Sequence, residues 1–340
     1  MISSLKPICS VCIANYNGIG FIDSAVKSIY SQDCHFPVEI IIHDDASTDE
    51  SVEFIRENFP EVNLIVSKQN VGFCTSNNRM VAQARGRYIL LLNNDAILFG
   101  DALRKLHDQA IREDKSSILG LPQYDASTGQ LIDYGSLLDP FLNTVPNLNA
   151  RRLDVGMVIG ACMWLPKSLW KELGGFLEWF HSLAEDMCLC SQARLRGYQV
   201  KVIRVSGFKH HVGSSLGGGK LIKNRLSTSK GRRFLSERNK SFVIVLTYPR
   251  PFFQLIFPLH IFLLVFEGIL LAAIKNDLDL WHSIYLSGIK SLWQNRQVLR
   301  HLRRSIQKSR RISSLKFFSP FTFMPYKLKM LIKYRIPEIM

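Results

Sequence analysis

Acidic residues are scarce in this chain, and scarcest near its end. The 340 residues hold 28 Asp and Glu against 43 Lys and Arg, a formal net charge of +15, and beyond Asp279 the only acid is Glu338. An imbalance of this size directs attention to polyanionic partners. Cysteine offers no framework: there are seven, an odd number without zinc-finger spacing, and a reducing cytosol fits best. Cys9-x-x-Cys12 lies inside an apolar run and reads as core packing. No charged n-region with a long apolar segment precedes the first strand, so no secretory signal is expected. Internal repeats and low-complexity tracts are also missing. The first strand is not followed by the Gly-rich, basic loop that cradles a triphosphate, which argues against nucleotidyl transfer.

What is present is a strand–helix alternation. Ile8 to Ala14 is an apolar run closed by Asn15-Tyr16-Asn17-Gly18, and a helical pattern follows through Ile22, Ala25, Val26 and Ile29. Val38 to Ile42 is a second run, ending in His43-Asp44-Asp45-Ala46-Ser47-Thr48-Asp49, where Ser47 or Thr48 can cap a helix carrying Val52, Phe54 and Ile55. Val62 to Val66 makes a third strand, with Asn70-Val71-Gly72-Phe73 and a helix through Met80 to Ala84 behind it. Tyr88 to Leu92 is the fourth, unbroken in its apolarity and closed by Asn93-Asn94-Asp95. Such runs predict buried, parallel strands of a doubly wound α/β sheet. Polar strand ends then gather on one rim, where ligands of open sheets bind. A carboxylate there can hold a hard divalent cation, although an Asn/Asp turn would look the same in isolation.

Taken together, Asn15-Tyr16-Asn17-Gly18, Asp44-Asp45-Ala46-Ser47-Thr48-Asp49, Asn70-Val71-Gly72-Phe73 with Asn78, and Asn93-Asn94-Asp95 resemble family 2 glycosyltransferases, in particular the rhamnosyltransferase-like bacterial group. The resemblance runs from about residue 6 to residue 248. It continues through Val158–Leu165, which resembles the family's strand between the nucleotide and acceptor halves, Gly174-Gly175-Phe176-Leu177-Glu178, the acidic pair Glu185-Asp186, Arg194, Gly197-Tyr198, His210-His211 and Arg238-Asn239. It implies a GT-A fold, a doubly wound mixed sheet flanked by helices, with a nucleotide-binding half at 1–120 and an acceptor-binding half at 121–245.

The same resemblance implies the site. Asp186, with Glu185 beside it, stands where the family has its general base. Asp95 would hold Mg²⁺ or Mn²⁺, with His210 (or His211) as a further ligand and Lewis-acid help to the leaving diphosphate as the metal's task. Ala14, Asn15, Tyr16, Asn17, Asp44, Asp45, Asn70, Gly72, Asn78 and Asn94 would contact a UDP- or dTDP-sugar, Asp44 or Asp45 meeting base and ribose, with Asp44 favoured for the base. A single base without a nucleophilic carboxylate implies inversion. Read without the resemblance, Glu185-Asp186 is negative charge at a helix N-terminus. The chain departs from the family pattern at Cys188, where another Asp is usual, at Gln192 in place of Arg, at Leu177, and at Asn93 as the first position of the cation motif.

The last hundred residues differ in composition. Residues 246–340 are expected to form a helical, membrane-associating region. Pro251 to Ile274 is almost wholly apolar and long enough to span a bilayer, but Gln254, Pro258, His260 and Glu267 interrupt it. Trp281, Ile284, Tyr285, Gly288, Ile289 and Leu292 then recur at helical spacing, as in an amphipathic helix. Basic residues from Arg296 to Arg335 follow. Anionic lipid, nucleic acid and a solvated helix face compete for them. The neighbouring apolar run favours lipid, and no nucleic-acid module accompanies the charge. A single crossing would set the basic tail against the positive-inside tendency. In-plane or re-entrant helices on the cytoplasmic face of the membrane are therefore expected, which suggests a lipid-linked saccharide acceptor in cell-surface polymer synthesis. The alternative from another class is a silent, glycosyltransferase-like subunit of a membrane-bound assembly complex. The stretch from Tyr124 to Arg152, rich in Asp, Asn, Gly and Pro, is expected to be loops.

Overall fold

The structure is a computed structural model, which describes residues 6–113, 116–211, 213, 218–222, 225–334 and 338–339. In chain order, β1 (Cys9–Asn15) leads into α1 (Ile22–Tyr30), β2 (Val38–Asp44) into α2 (Ser51–Asn58), and β3 (Asn63–Val66) into α3 (Phe73–Gln83). Next come β4 (Tyr88–Asn93), β5 (Ala96–Leu98), α4 (Ala102–Arg112) and β6 (Ser117–Gly120). Short strands follow: β7 (Gln123–Asp125), β8 (Leu131–Asp133), β9 (Ser136–Leu138) and β10 (Thr144–Pro146). Then come β11 (Cys162–Pro166), α5 (Lys167–Leu173), α6 (Glu185–Leu195), β12 (Gln199–Val202) and β13 (Phe208–His210). After β13 come the strands β14 (Gly218–Ile222) and β15 (Arg225–Thr228), then α7 (Lys230–Thr247), α8 (Phe252–Lys275), α9 (Leu278–Leu280), α10 (Ser287–Gln294), α11 (Arg296–Lys308), α12 (Ser314–Phe317) and α13 (Tyr326–Tyr334), and last β16 (Glu338–Ile339), which pairs with β15.

The chain divides into two compact units. One comprises the chain up to Ser136 with Pro146–Ser182 and Tyr198–His211; the other comprises Leu137–Val145, Leu183–Gly197 and the chain after His211.

The first unit is an α/β body around a seven-stranded mixed sheet in the order β12-β6-β11-β4-β1-β2-β3. β4, β1, β2 and β3 are parallel neighbours, while β11 runs antiparallel to both β4 and β6. Val11, Ile13, Ile42, Leu90 and Leu92 on one face pack with Ile22 and Val26 of α1 and Leu103 and Leu106 of α4. On the other face α3 lies against β1 and β2. Both faces are covered, which is why these strands read as unbroken apolar runs with no alternation. The buried thiols of Cys9 and Cys12 are pushed upward in pKa by desolvation, so they serve as core side chains.

Three local expectations change. The α2 helix begins at Ser51 without a capping side chain from Ser47 or Thr48; instead Asp49 Oδ1 accepts from the Ser51 amide at 3.1 Å. The region from Tyr124 to Arg152 is not simply loop, because β8, β9 and β10 lie in it. Strands of three residues are too short for alternation to reveal. The strand expected over Val158–Leu165 starts only at Cys162.

The second unit is built on α7, against which α6, α8, α10 and α11 pack. The amphipathic pattern around Trp281 is one turn of π-helix at Trp281–Leu286 between α9 and α10. Ile284 and Tyr285 are buried there with Leu264 and Leu271 of α8. Two polar interruptions of α8 face inward. Glu267 pairs with Arg233 and, at 2.7 Å, with Lys327, which also reaches Glu237 at 2.8 Å; His260 Nε2 lies 2.8 Å from Ser241 Oγ. On the other side of α8, Leu255, Leu259, Phe262, Phe266 and Ile269 are exposed. Among the described residues α8 is the one helix long and apolar enough to cross a membrane, by length and composition.

Candidate active site

Parallel register brings the polar strand ends of the first unit together. Asn15 stands opposite Asp44, and Ala14 opposite both His43 and Asn93. Asn15 is buried; its Oδ1 accepts from Asn94 Nδ2 at 2.8 Å and its Nδ2 donates to Asp44 Oδ2 at 2.9 Å. Asp44, fully buried, also accepts from Ser47 N at 2.9 Å and Ser47 Oγ at 2.7 Å. Asp45 accepts from the amides of Val71 at 2.7 Å and Gly72 at 2.8 Å, tying the loop after β3 to the end of β2. The two aspartates therefore organise loops. Tyr16, Asn17 and Asn70 stand exposed at their tips.

Backbone approach explains two glycines of the motifs. At Gly18 an added Cβ would lie 2.1 Å from Asn15 Oδ1 and 2.2 Å from Asn94 Nδ2. Gly72 has φ +87°, and its Cβ would fall 2.3 Å from the His181 ring. Asn78 is committed elsewhere: its side chain accepts from Phe176 N at 3.0 Å and donates to Phe176 O at 2.9 Å.

Asp95 follows β4 and precedes β5, which pairs antiparallel with β13 so that Ala96 stands opposite His210. This ladder sets His210 Nε2 3.1 Å from Asp95 Oδ1, both side chains being buried. His211 turns instead toward the Phe21 ring, with centroids 5.2 Å apart. Gln123 Nε2 lies 2.8 Å from His210 Nδ1. Amide oxygen and nitrogen are interchangeable in such an assignment, and a Gln oxygen accepting from Nδ1–H would present the Nε2 lone pair beside Asp95. Among the described residues, Asn93 Oδ1 and Asp95 Oδ1 are buried without a hydrogen-bond partner. Orphaned acceptors beside an imidazole fit a hard divalent cation. Among the described residues no group of three or more His, Cys, Asp or Glu is placed to hold a metal ion, so ligand oxygens and water would complete the coordination. A cavity of about 940 Å³, lined by Tyr30, Val38, Glu39, Val62 and Asn63, opens at the amino ends of β2 and β3, on the rim opposite these groups.

In the second unit, the acidic pair is delivered by a strained turn. Leu183 and Ala184 have φ of +71° and +63°, and α6 begins at Glu185. Non-glycine residues in this region cost about 1–3 kcal/mol each and collect at functional sites. Buried Asn239 of α7 holds the turn, donating from Nδ2 to Leu183 O at 2.7 Å while its Oδ1 accepts from Arg238 Nε at 2.9 Å. Asp186 Oδ1 accepts from Met187 N at 2.7 Å. Glu185 Oε2 is buried without a partner among the described residues. Burial, and then the Asp186 charge, push the Glu185 carboxyl well above its usual range against the attraction of Arg232. Two buried neighbouring carboxylates cannot both ionise cheaply, and Glu185 is the one whose charge burial opposes most directly.

The two departures on α6 answer each other. Gln192 Nε2 lies 3.7 Å from Cys188 Sγ, both residues buried. A neutral contact thus occupies positions where the family pattern has Asp and Arg, which leaves no buried charge unpaired.

The Glu185 shift has a measurable consequence. A carboxyl raised in the folded state stabilises below the ordinary carboxylate pKa, and that contribution is lost as pH climbs through the raised value. In urea unfolding, the wild-type free energy should therefore fall with pH relative to Glu185→Gln, by at most about 1.4 kcal/mol per pH unit. Parallel curves from pH 4 to pH 8 would contradict the shift.

Sequence reasoning did not single out Ser47 as a bridge, Gln123 as a partner of His210, or Arg232. Ser47 could have been read from its spacing to Asp44, since Asp side chains accept from amides a few residues on. For Gln123 no signal exists, because β7 meets β13 only in space.

Residues 10–174 match the family described as Glycosyl transferase family 2. This segment is a family 2 glycosyltransferase domain. The chain is 32% identical over 103 residues to the putative teichuronic acid biosynthesis glycosyltransferase TuaG of Bacillus subtilis, covering 29% of this chain and 40% of that protein. It is 25% identical over 211 residues to the N-acetylglucosaminyl-diphospho-decaprenol L-rhamnosyltransferase of Mycobacterium tuberculosis, covering 53% of this glycosyltransferase and 69% of that one. Among solved structures, S. aureus TarS 1-349 in complex with UDP aligns with TM-score 0.52 and 16% identity over 88% of this chain and 90% of that one. GalNAc-T7 with UDP, GalNAc and Mn²⁺ aligns with TM-score 0.58 and 13% identity over 73% and 49%. These likenesses place the glycosyltransferase in the GT-A fold.

Proposed function

We propose that the protein is an inverting, metal-dependent glycosyltransferase that moves a sugar from a UDP- or dTDP-sugar to a lipid-linked saccharide during cell-surface polysaccharide synthesis. The carrying observation is the buried Asp95 Oδ1, without a hydrogen-bond partner among the described residues, 3.1 Å from His210 Nε2 at the strand ends of a family 2 fold. Asp95 and His210 would hold Mg²⁺ or Mn²⁺, which when bound neutralises charge on the departing diphosphate. Asp186 takes the proton of the acceptor hydroxyl as its oxygen bonds to the anomeric carbon and the bond from that carbon to the diphosphate breaks. With one general base and no second carboxylate acting as nucleophile, a single displacement inverts the configuration. The loops fixed by Asn15, Asp44 and Asp45 would seat the nucleotide through Ala14, Tyr16, Asn17, Asn70, Gly72 and Asn94. Asn78 would support them through residues 174–178.

The exposed apolar face of α8 and the basic residues after it support attachment to the cytoplasmic face of the cell membrane. Attachment would confine the enzyme to the surface that holds its acceptor and raise the effective acceptor concentration. The test is thermal unfolding with UDP, dTDP, GDP and CMP, each with and without Mn²⁺ or Mg²⁺. Stabilisation of about 2.7 kcal/mol by a nucleotide at 100 times its dissociation constant is expected for UDP or dTDP with metal. If no nucleotide stabilises the protein, the donor assignment fails.

A further inference from the structure

Arg300, Arg303, Arg304 and Gln307 fall at i, i+3, i+4 and i+7 of α11 and so share one face. With Arg250, just before α8, and Arg310 they line a pocket of about 450 Å³. Its floor is fixed. The Arg303 guanidinium stacks 3.9 Å from the Phe253 ring centroid and donates to Val245 O and, at 2.9 Å, to Tyr248 O. Gln307 Nε2 donates to Leu246 O and Thr247 O, both at 3.1 Å. Arg303 and Gln307 thereby satisfy carbonyls at the end of α7 that the helix leaves unpaired.

The rim is different. Arg250, Arg300, Arg304 and Arg310 are exposed, and among the described residues no carboxylate pairs with any arginine of the pocket. Like charges one turn apart weaken a helix unless something neutralises them. Burial and the nearby Arg250 charge already pull Arg303 down to about 10. Guanidinium groups converging on a cavity of this size match the forked recognition of phosphoryl oxygens.

We propose that this five-arginine pocket binds the phosphate-monoester or diphosphate headgroup of a membrane lipid. The setting selects a lipid source over a soluble phosphate. Ser314 of α12 accepts from Arg310 Nη1 at 3.1 Å and donates to Arg250 O at 2.9 Å, and its neighbour Leu315 is exposed at the rim, on the same unit as the exposed apolar face of α8. A headgroup held by the arginines would leave its chain beside Leu315. The inference narrows the membrane attachment proposed above and is independent of the catalytic assignments.

The test is flotation of the full-length protein with phosphatidylcholine vesicles, with and without phosphatidic acid, whose headgroup is a phosphate monoester. Arg300→Gln/Arg304→Gln removes two exposed side chains without an ion-pair partner. It is expected to weaken binding to the phosphatidic acid vesicles about tenfold, the value of one charge-assisted hydrogen bond. Lys316→Gln/Lys329→Gln removes equal charge from the same basic tail outside the pocket, and should weaken binding clearly less than the arginine pair does. Arg300→Lys/Arg304→Lys keeps the charge but loses the fork, and should weaken binding partway. Equal losses from the two Gln pairs would make the attraction diffuse and overturn the pocket while sparing membrane attachment. Failure of the wild type to float would overturn both. Thermal stabilisation by inorganic pyrophosphate that needs Arg300 and Arg304, without vesicle binding that needs them, would assign the pocket to a soluble phosphate and overturn the lipid source.

Discussion

Asp186→Asn is expected to lower kcat about 10²–10⁴-fold, the usual worth of a positioned general base, while leaving nucleotide-dependent thermal stabilisation in place. The substitution is nearly isosteric, and an amide oxygen at this position can still accept from Met187 N, as Oδ1 does now at 2.7 Å. The first turn of α6 loses some charge at its positive end, a cost of about 0.3–1 kcal/mol. Relief of the repulsion with Glu185 works in the other direction. Folding should thus be little changed while turnover collapses. If the pair were only helix-dipole charge, the variant would lose stability and keep its rate. Both measurements on one preparation, kcat with a UDP- or dTDP-sugar donor and the unfolding midpoint, separate the two accounts. The Glu185→Gln variant adds a control: a neighbour that supports the base without taking the proton itself should lose far less in kcat.

Much of the first unit was legible because its strands are covered on both sides. Cys9–Asn15, Val38–Asp44 and Tyr88–Asn93 appear in the sequence as apolar runs closed by Asn or Asp, and parallel register then forces those closings onto one rim. The fold class and the neighbourhood of Asn15, Asp44, Asn94 and Asp95 follow from that. Contacts made by short elements were not legible. The β5–β13 ladder has three residue pairs, too few for any periodicity, yet it distinguishes His210 from His211 at Asp95. Nor could sequence show that Asp44 and Asp45 spend their oxygens on Ser47, Val71 and Gly72. An aspartate at a strand end looks the same whether it meets a ligand or its own loop. In the second unit the composition of α8 was plain, but its inward polar residues gained a meaning only once α7 and α13 supplied Arg233 and Lys327 as partners of Glu267, and Ser241 as the partner of His260.

Asp95→Asn should abolish metal-dependent nucleotide binding and leave the unliganded protein as stable as the wild type, or more so. Asp95 is 3% exposed, and its Oδ1 has no hydrogen-bond partner among the described residues. A buried acceptor in that state costs about 1–3 kcal/mol, and more when charged. Removing the charge should recover part of that cost. Structural carboxylates such as Asp44, which gather donors around them, would behave in the opposite way. With the variant, UDP or dTDP plus Mn²⁺ should no longer add the stabilisation of about 2.7 kcal/mol expected of the wild type at 100 times the dissociation constant. Loss of a Lewis acid worth several kcal/mol at the leaving group predicts a fall in kcat of at least about 10²-fold. A variant that is destabilised without nucleotide, yet still shows a metal-dependent shift, would make Asp95 a scaffold residue and move the cation elsewhere. Gain of apo stability together with loss of the metal response is the signature of a residue kept for its ligand at the expense of the fold.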